Sequence, residues 1–144
     1  MHLTAMLTAP DLRRIADCHC LAARRTARAI TRLYDEQLRP QGLRATQFSV
    51  LAALAIQGAT PVSTLAEALG MDRTTLTRSA ALLERRKWIT TAPSADRRRR
   101  AWKLTATGMR KLESVLPAWQ AAQDTVRKVS RGTSRPATPV GRAG

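Results

Sequence analysis

Between residues 61 and 105, two short helical patterns are separated only by Gly70-Met71-Asp72 and are followed by two short strand patterns with four consecutive arginines between them. Few folds accept that order. In the first pattern, PVSTLAEALG, Pro61 suits an early helical position. Ser63 or Thr64 is expected to cap the start, with Glu67 completing a capping box and Gly70 giving a sharp exit. Asp72 is expected to cap the second pattern, RTTLTRSAALLERR. There Leu76, Ala80 and Leu83 fall on one face, and Arg73, Thr74, Thr77 and Arg78 fall on the other. Trp88-Ile89-Thr90-Thr91 then reads as a strand. A turn with Pro93 and Ser94 leads into Asp96-Arg97-Arg98-Arg99-Arg100, and Ala101-Trp102-Lys103-Leu104 returns. Helix, tight turn, helix and hairpin together outline a winged helix-turn-helix within a mainly α chain.

That outline points to duplex DNA. A helix fits the major groove, arginine hydrogen-bonds a guanine edge, and threonine contacts a base or the thymine methyl. An arginine-tipped wing suits the narrow, negative minor groove beside it. The charge supports this: of a net +15, a block of +7 falls within residues 72–103. Such a distribution fits a polyanion, and with no hydrophobic anchor nucleic acid fits better than a membrane surface. The competing readings are a solvated basic loop, and a winged helix that docks protein or nucleic acid without regulating anything.

Around this core, one domain is expected over residues 1–129. A long helix over 11–38 ends at Pro40 and Gly42, with an apolar stripe through Ile15, Ala22, Ala29 and Leu33. Its length exceeds what a small winged domain needs, which suggests a helix shared between two subunits. Thr46 is expected to cap a central helix apolar nearly all round, through Phe48, Val50, Leu51, Leu54, Ala55 and Ile56. Gln57-Gly58-Ala59-Thr60 reads as the turn that follows it, and residues 46–104 form the winged unit. Thr105 is expected to cap a last helix over 105–128, striped with Leu112, Leu116 and Trp119, in which Pro117 should cause a bend or a break. Residues 130–144, rich in Gly, Pro, Ser, Thr and Arg, read as a disordered basic tail.

These residues resemble the multiple antibiotic resistance regulator (MarR) family of bacterial transcription factors, over about residues 12–126. The wing signature, Asp then any residue then Arg, five residues and Leu-Thr, stands here as Asp96, Arg98, Leu104 and Thr105. Asp72 to Arg78, Leu83-Glu84 and Gly108 also match. The family usually has glycine where this chain has Lys87, so the turn that opens the wing is expected to be reshaped. The resemblance implies a cytoplasmic homodimeric repressor on an inverted-repeat operator, released by a small aromatic or amphipathic effector or by oxidation. The DNA contacts are then expected among Ser63, Thr64, Arg73, Thr74, Thr75, Thr77, Arg78, Arg97, Arg98, Arg99 and Arg100, with Asp96 shaping the wing. Tyr34, Trp88, Trp102 and Trp119 are candidates for an effector pocket or, more simply, core filler. The resemblance also implies a further dimerising helix after Lys128, which this sequence does not show.

Cys18-His19-Cys20 is the one reactive cluster. Neighbours on a helix point about 100° apart, so the three cannot converge on one zinc, and no metal is expected. The cysteines read first as buried packing residues and second as redox sensors, since several members of the resembled family sense oxidants near this helix. With only His2 and His19 and no nucleophile elbow, phosphate loop or paired carboxylates, neither an enzyme nor a cofactor is expected. No run approaches the roughly 20 apolar residues of a membrane span, and residues 1–10 lack the features of a secretory signal.

Overall fold

The computed structural model describes residues 6–94 and 99–133. The expected disorder over 134–144, and the wing residues Asp96, Arg97 and Arg98, lie outside the described residues. The chain divides into two units, residues up to 32 and residues from 33 onward.

In the first unit, α1 spans Ala9–Ala16 and α2 begins at His19. Thr8 caps α1: its hydroxyl accepts the Asp11 N–H at 3.3 Å, and the Asp11 carboxylate accepts the Thr8 N–H at 3.0 Å in return. The single helix expected over 11–38 is therefore two helices. Asp17, a poor helix former, leaves helical geometry with ψ of 37°, and its N–H closes on Arg14 O at 3.3 Å instead of continuing the four-residue ladder. The Ala22 N–H then bonds Cys18 O at 3.0 Å and α2 is under way. Of the expected stripe, Ile15, Ala22 and Ala29 are exposed in the single chain and Leu33 is half-buried; Leu12, Leu21 and Ile30 are exposed as well.

The second unit packs around α3 (Ala45–Gln57), where Val50, Leu51 and Leu54 are completely or almost completely buried. Its start differs from expectation. Thr46 lies within the first turn, while the Asp35 carboxylate, from the end of α2 (His19–Leu38), accepts the Ala45 N–H at 2.7 Å. A cap delivered from another helix is invisible to local spacing. Ile56 is 83% exposed, because at about 100° per residue it falls opposite the Leu51–Leu54 face.

Thr60, expected in a turn, instead opens a short strand, β1 (Thr60–Pro61), in a three-stranded antiparallel sheet of order β1-β3-β2. Thr60 stands opposite Trp102 and Pro61 opposite Ala101 on β3 (Ala101–Leu104). β2 (Ile89–Ala92) pairs on the other side of β3, with Ile89 opposite Leu104 and Ala92 opposite Ala101. The pairing also fixes where α4 (Val62–Leu69) starts. Val62 N–H donates to Arg100 O at 3.2 Å, and Pro61 occupies the cap position. The expected Ser63/Thr64–Glu67 capping box does not form, because Ser63 and Thr64 are already inside the helix.

Two helices end in the same double closure. Gly70, at φ 61°, donates its N–H to Glu67 O at 3.1 Å while Met71 N–H reaches Ala66 O at 2.9 Å. After α5 (Arg73–Arg85), Lys87 donates to Glu84 O at 2.8 Å and Trp88 to Leu83 O at 3.1 Å. Lys87 has φ 61°, the one positive value at a non-glycine among the described residues. The turn into the wing is thus not reshaped by the lysine; it keeps the left-handed exit and carries the strain.

The last helix, α6 (Ala106–Thr133), runs unbroken through Pro117 and past Lys128, so neither the expected break nor the expected end is found. Ser130 to Thr133, expected in the disordered tail, are helical. A proline inside a helix removes one backbone donor, and α6 accommodates that loss without ending. Thr105 starts it as expected, its hydroxyl accepting the Gly108 N–H at 2.9 Å. A Cβ on Gly108 would fall deep inside the Trp88 carbonyl and 2.8 Å from Leu104 Cδ1. In urea unfolding, Gly108→Ala should destabilise the protein by at least about 2 kcal/mol. Lys87→Gly should stabilise it by up to about 1 kcal/mol, the relieved left-handed strain less the added chain entropy.

Candidate nucleic-acid interface

Leu76, Ala80 and Leu83 are all 0% exposed, which turns one side of α5 into the core and leaves the opposite side to solvent. At about 100° per residue, Thr74, Arg78 and Ala81 form the outward crest, with Arg73 and Thr77 on one flank and Thr75, Ser79 and Leu82 on the other. A shallow groove lined by Arg73, Thr74, Thr77, Arg78 and Ala81 runs along it.

The helix is fixed at its start by Asp72, as expected. Its carboxylate accepts the Thr75 N–H at 2.6 Å and the Thr75 hydroxyl at 2.8 Å. These two bonds, the backbone one first, hold the Asp72 carboxyl below the ordinary aspartate range, with Arg78 adding a smaller charge effect. Thr75, counted among the candidate contacts, therefore spends its hydroxyl proton on the cap.

On the flank toward the wing, a cleft of about 510 Å³ brings together Ser63, Arg73, Thr77, Arg99 and Arg100, with Trp102 and Val62 at its wall. Trp102 is 7% exposed, and its indole N–H has no hydrogen-bond partner among the described residues. Thr64 is exposed on α4 but does not line this cleft. The opposite flank carries a cleft that sequence spacing did not reveal, of about 370 Å³, between Thr75, Arg78 and Ser79 of α5 and Arg44 and Thr46 at the start of α3. Nothing local links Arg44 to Arg78; only packing of α3 on α5 does.

The aromatic candidates serve the core. Trp119 stacks on Phe48 with ring centroids 5.8 Å apart, and the Tyr34 hydroxyl donates to Gln123 Oε1. Trp88 lies under the Arg86 guanidinium at 5.1 Å and the Lys111 ammonium at 5.2 Å. Cys18 and Cys20 are free thiols and both are exposed in the single chain, not buried as expected. Cys18 lies in the break between α1 and α2, and Cys20 lies in the first turn of α2. Among the described residues no group of His, Cys, Asp and Glu is placed to hold a metal ion, and no helix is long and apolar enough to cross a membrane.

Comparison with known proteins decides the family. The MarR family model matches residues 41–100. The M. tuberculosis transcriptional regulator MosR, solved in complex with DNA, is 35% identical over 82% of this chain and 92% of its own, with a TM-score of 0.69. The chain belongs to the MarR family. The matched residues 41–100 hold α3, β1, α4, α5 and β2 complete, and they include every residue lining the two clefts beside α5 except Trp102. Two further MarR-like structures share the fold at lower identity. B. bronchiseptica BpsR, studied for regulation of its DNA binding by 6-hydroxynicotinic acid, is 24% identical over 88% of this chain and 87% of its own, with a TM-score of 0.64. E. coli MarR without ligand is 23% identical over 83% and 98%, also at 0.64. No curated protein matches the chain.

The Asp72 cap gives this MarR-family chain a pH signature. A carboxyl whose pKa is lowered on folding stabilises the fold fully above its unfolded value, ordinarily 3.8, and loses that stabilisation as pH falls through the lower folded value. Thermal melts from pH 6 down to pH 2 should therefore show Asp72→Asn converging on the wild type at the acid end, with the larger gap at neutral pH.

Proposed function

We propose that this chain is a homodimeric transcriptional repressor that binds duplex DNA sequence-specifically and is released by a small ligand or by oxidation. Thr74 and Arg78 on the crest of α5 read base edges in the major groove. Arg73 and Thr77 sit where the groove meets the wing, and Arg99 and Arg100 contact phosphate or the minor groove. Ser63 and Thr64 approach the backbone from α4; Arg97 and Arg98, also expected among the contacts, lie outside the described residues. The observation that carries this reading is the single cleft joining Arg73 and Thr77 of α5 to Arg99 and Arg100 of the wing arm. The DNA complex of MosR supports it. The chemistry proposed is binding, with no catalytic step. A protein-docking winged helix is disfavoured by the +7 on residues 72–103, since a docking face gains little from a dense block of arginine.

The uncovered apolar residues Leu12, Ile15, Leu21 and Ile30 support a second copy of the chain as partner. A two-fold dimer on DNA sets half-sites about 34 Å apart, so the operator is an inverted repeat with centres about 10 bp apart.

Titration of labelled duplex against salt tests the binding. The logarithm of affinity should fall linearly with log salt, with a slope of about 0.9 per neutralised phosphate. Thr74→Ala and Arg78→Ala should each cost about 1–3 kcal/mol at a selected site and much less on random duplex. Arg100→Ala should weaken both alike. Equal losses on matched and random DNA for all three variants would remove α5 as the reading helix.

Exposure of both thiols in the single chain supports oxidative control through Cys18 and Cys20. Mild peroxide should lower wild-type affinity for the operator and leave the Cys18→Ser/Cys20→Ser variant unchanged. Equal responses of the two proteins would assign control to something other than these thiols.

A further inference from the structure

The wing occupies one flank of α5, and the other flank carries positive charge to which neither the motif nor the family match gives a role. Arg44, Gln47 and Leu82 line two adjoining hollows there. One, of about 370 Å³, opens against Thr75 and Arg78; the other, of about 650 Å³, reaches Asp35, Arg39 and Arg86. Arg39, Arg44, Arg78 and Arg86 are all exposed. The sole acid lining either hollow is Asp35, whose carboxylate already accepts the Ala45 N–H at 2.7 Å. Arg86 is held in place by its bond to Gly42 O at 2.9 Å and by Trp88 beneath it, so it adds charge from a fixed position. Arg44 has the freer position, between the two hollows and next to the recognition helix.

The dimensions of DNA give this trough a partner. An α-helix with its side chains is about 10–12 Å across, and the major groove is about 12 Å wide. A helix seated in the groove therefore meets a phosphate strand on each flank. Arg73 and Thr77 lie about 20° around α5 and Thr75, Ser79 and Leu82 about 200°, so the wing cleft and the Arg44 trough face those two strands.

We infer that the Arg44 trough, with Arg39 behind it and Thr46 at its rim, is a second phosphate-binding surface that grips the DNA strand on the side of α5 away from the wing. This rests on the DNA-binding reading above. It supplies affinity and register without sequence preference, because phosphates carry no base identity.

The test uses the full chain with Arg44→Ala, Arg44→Lys and the Arg39→Ala/Arg44→Ala pair, titrated on matched and random duplex across salt, with Thr74→Ala as the control for reading. Both substituted side chains are exposed, and the Arg44 N–H bond to Gln47 Oε1 at 3.0 Å survives truncation. The pair should lose roughly tenfold in affinity on both duplexes, and its salt slope should become shallower by about 0.9 for each phosphate that a protomer no longer neutralises. Arg44→Lys should recover most of that slope. If wild type binds steeply, Thr74→Ala loses preference and the pair keeps the wild-type slope, the trough is not at the backbone and only the present inference fails. If wild type shows no salt-dependent DNA binding, the functional reading fails and takes this one with it. Inorganic phosphate that raises the wild-type melting temperature but not that of the pair, alongside an unchanged DNA slope, would make the trough a small-anion pocket and overturn the proposal. Phosphate-ethylation interference on the wild type reads the same question without a variant: interference on both strands flanking the groove is expected, and interference on the wing side alone would overturn it.

Discussion

With Leu76, Ala80 and Leu83 wholly buried, α5 has one setting about its own axis, since any rotation would expose leucine and bury arginine. Each of those leucines contributes about 2 kcal/mol by leaving water, whereas burying an unpaired guanidinium would cost several. The crest of Thr74 and Arg78, the wing-side cleft and the trough at Arg44 are all consequences of that setting. The helix turns its polar side to solvent because its apolar side is already committed.

The wing is tied to the rest of the second unit through a few backbone groups around Trp88. Its carbonyl accepts the Thr105 N–H at 3.0 Å, the Thr105 hydroxyl lies 2.6 Å from Lys87 O, and the same hydroxyl accepts from Gly108 to start α6. One threonine thus closes the hairpin and opens the last helix. Gly108 permits the approach, since any side chain there would strike the Trp88 carbonyl. A left-handed Lys87 persists at this junction because the two closing bonds of α5 and the anchored Trp88 over-determine it.

Basic side chains are mounted on both flanks of α5. On the wing side, Arg99 and Arg100 come from a hairpin whose strand β3 is gripped on both edges by β1 and β2. On the other side, Arg39 directly follows α2 and Arg44 directly precedes α3, in a connection that turns tightly at Gly42 with φ 73° and is fixed by the Asp35 carboxylate. Both basic arms are therefore mounted on backbone that hydrogen bonds hold in place, and α5 lies between them.

Much of this is legible in the sequence, for local reasons. Gly70 and Asp72 end and start helices through bonds to residues three or four positions away, and the Leu76–Ala80–Leu83 stripe repeats with the helix itself; such signals survive without the fold. Family membership likewise follows from residues 72–108 read in order. Where partners come from afar, local reading fails. The cap of α3 is Asp35 rather than Thr46, the start of α4 is set by β1 pairing with β3 rather than by Ser63 or Thr64, and the one long helix expected over 11–38 breaks at Asp17. Order and spacing along the chain suffice to establish that α5 exists, which face it buries and that the surface beside it is basic. That Arg44 lies beside Arg78 is a product of folding: side chains far apart in the chain become neighbours when α3 and α5 pack, and no spacing along the chain records that distance.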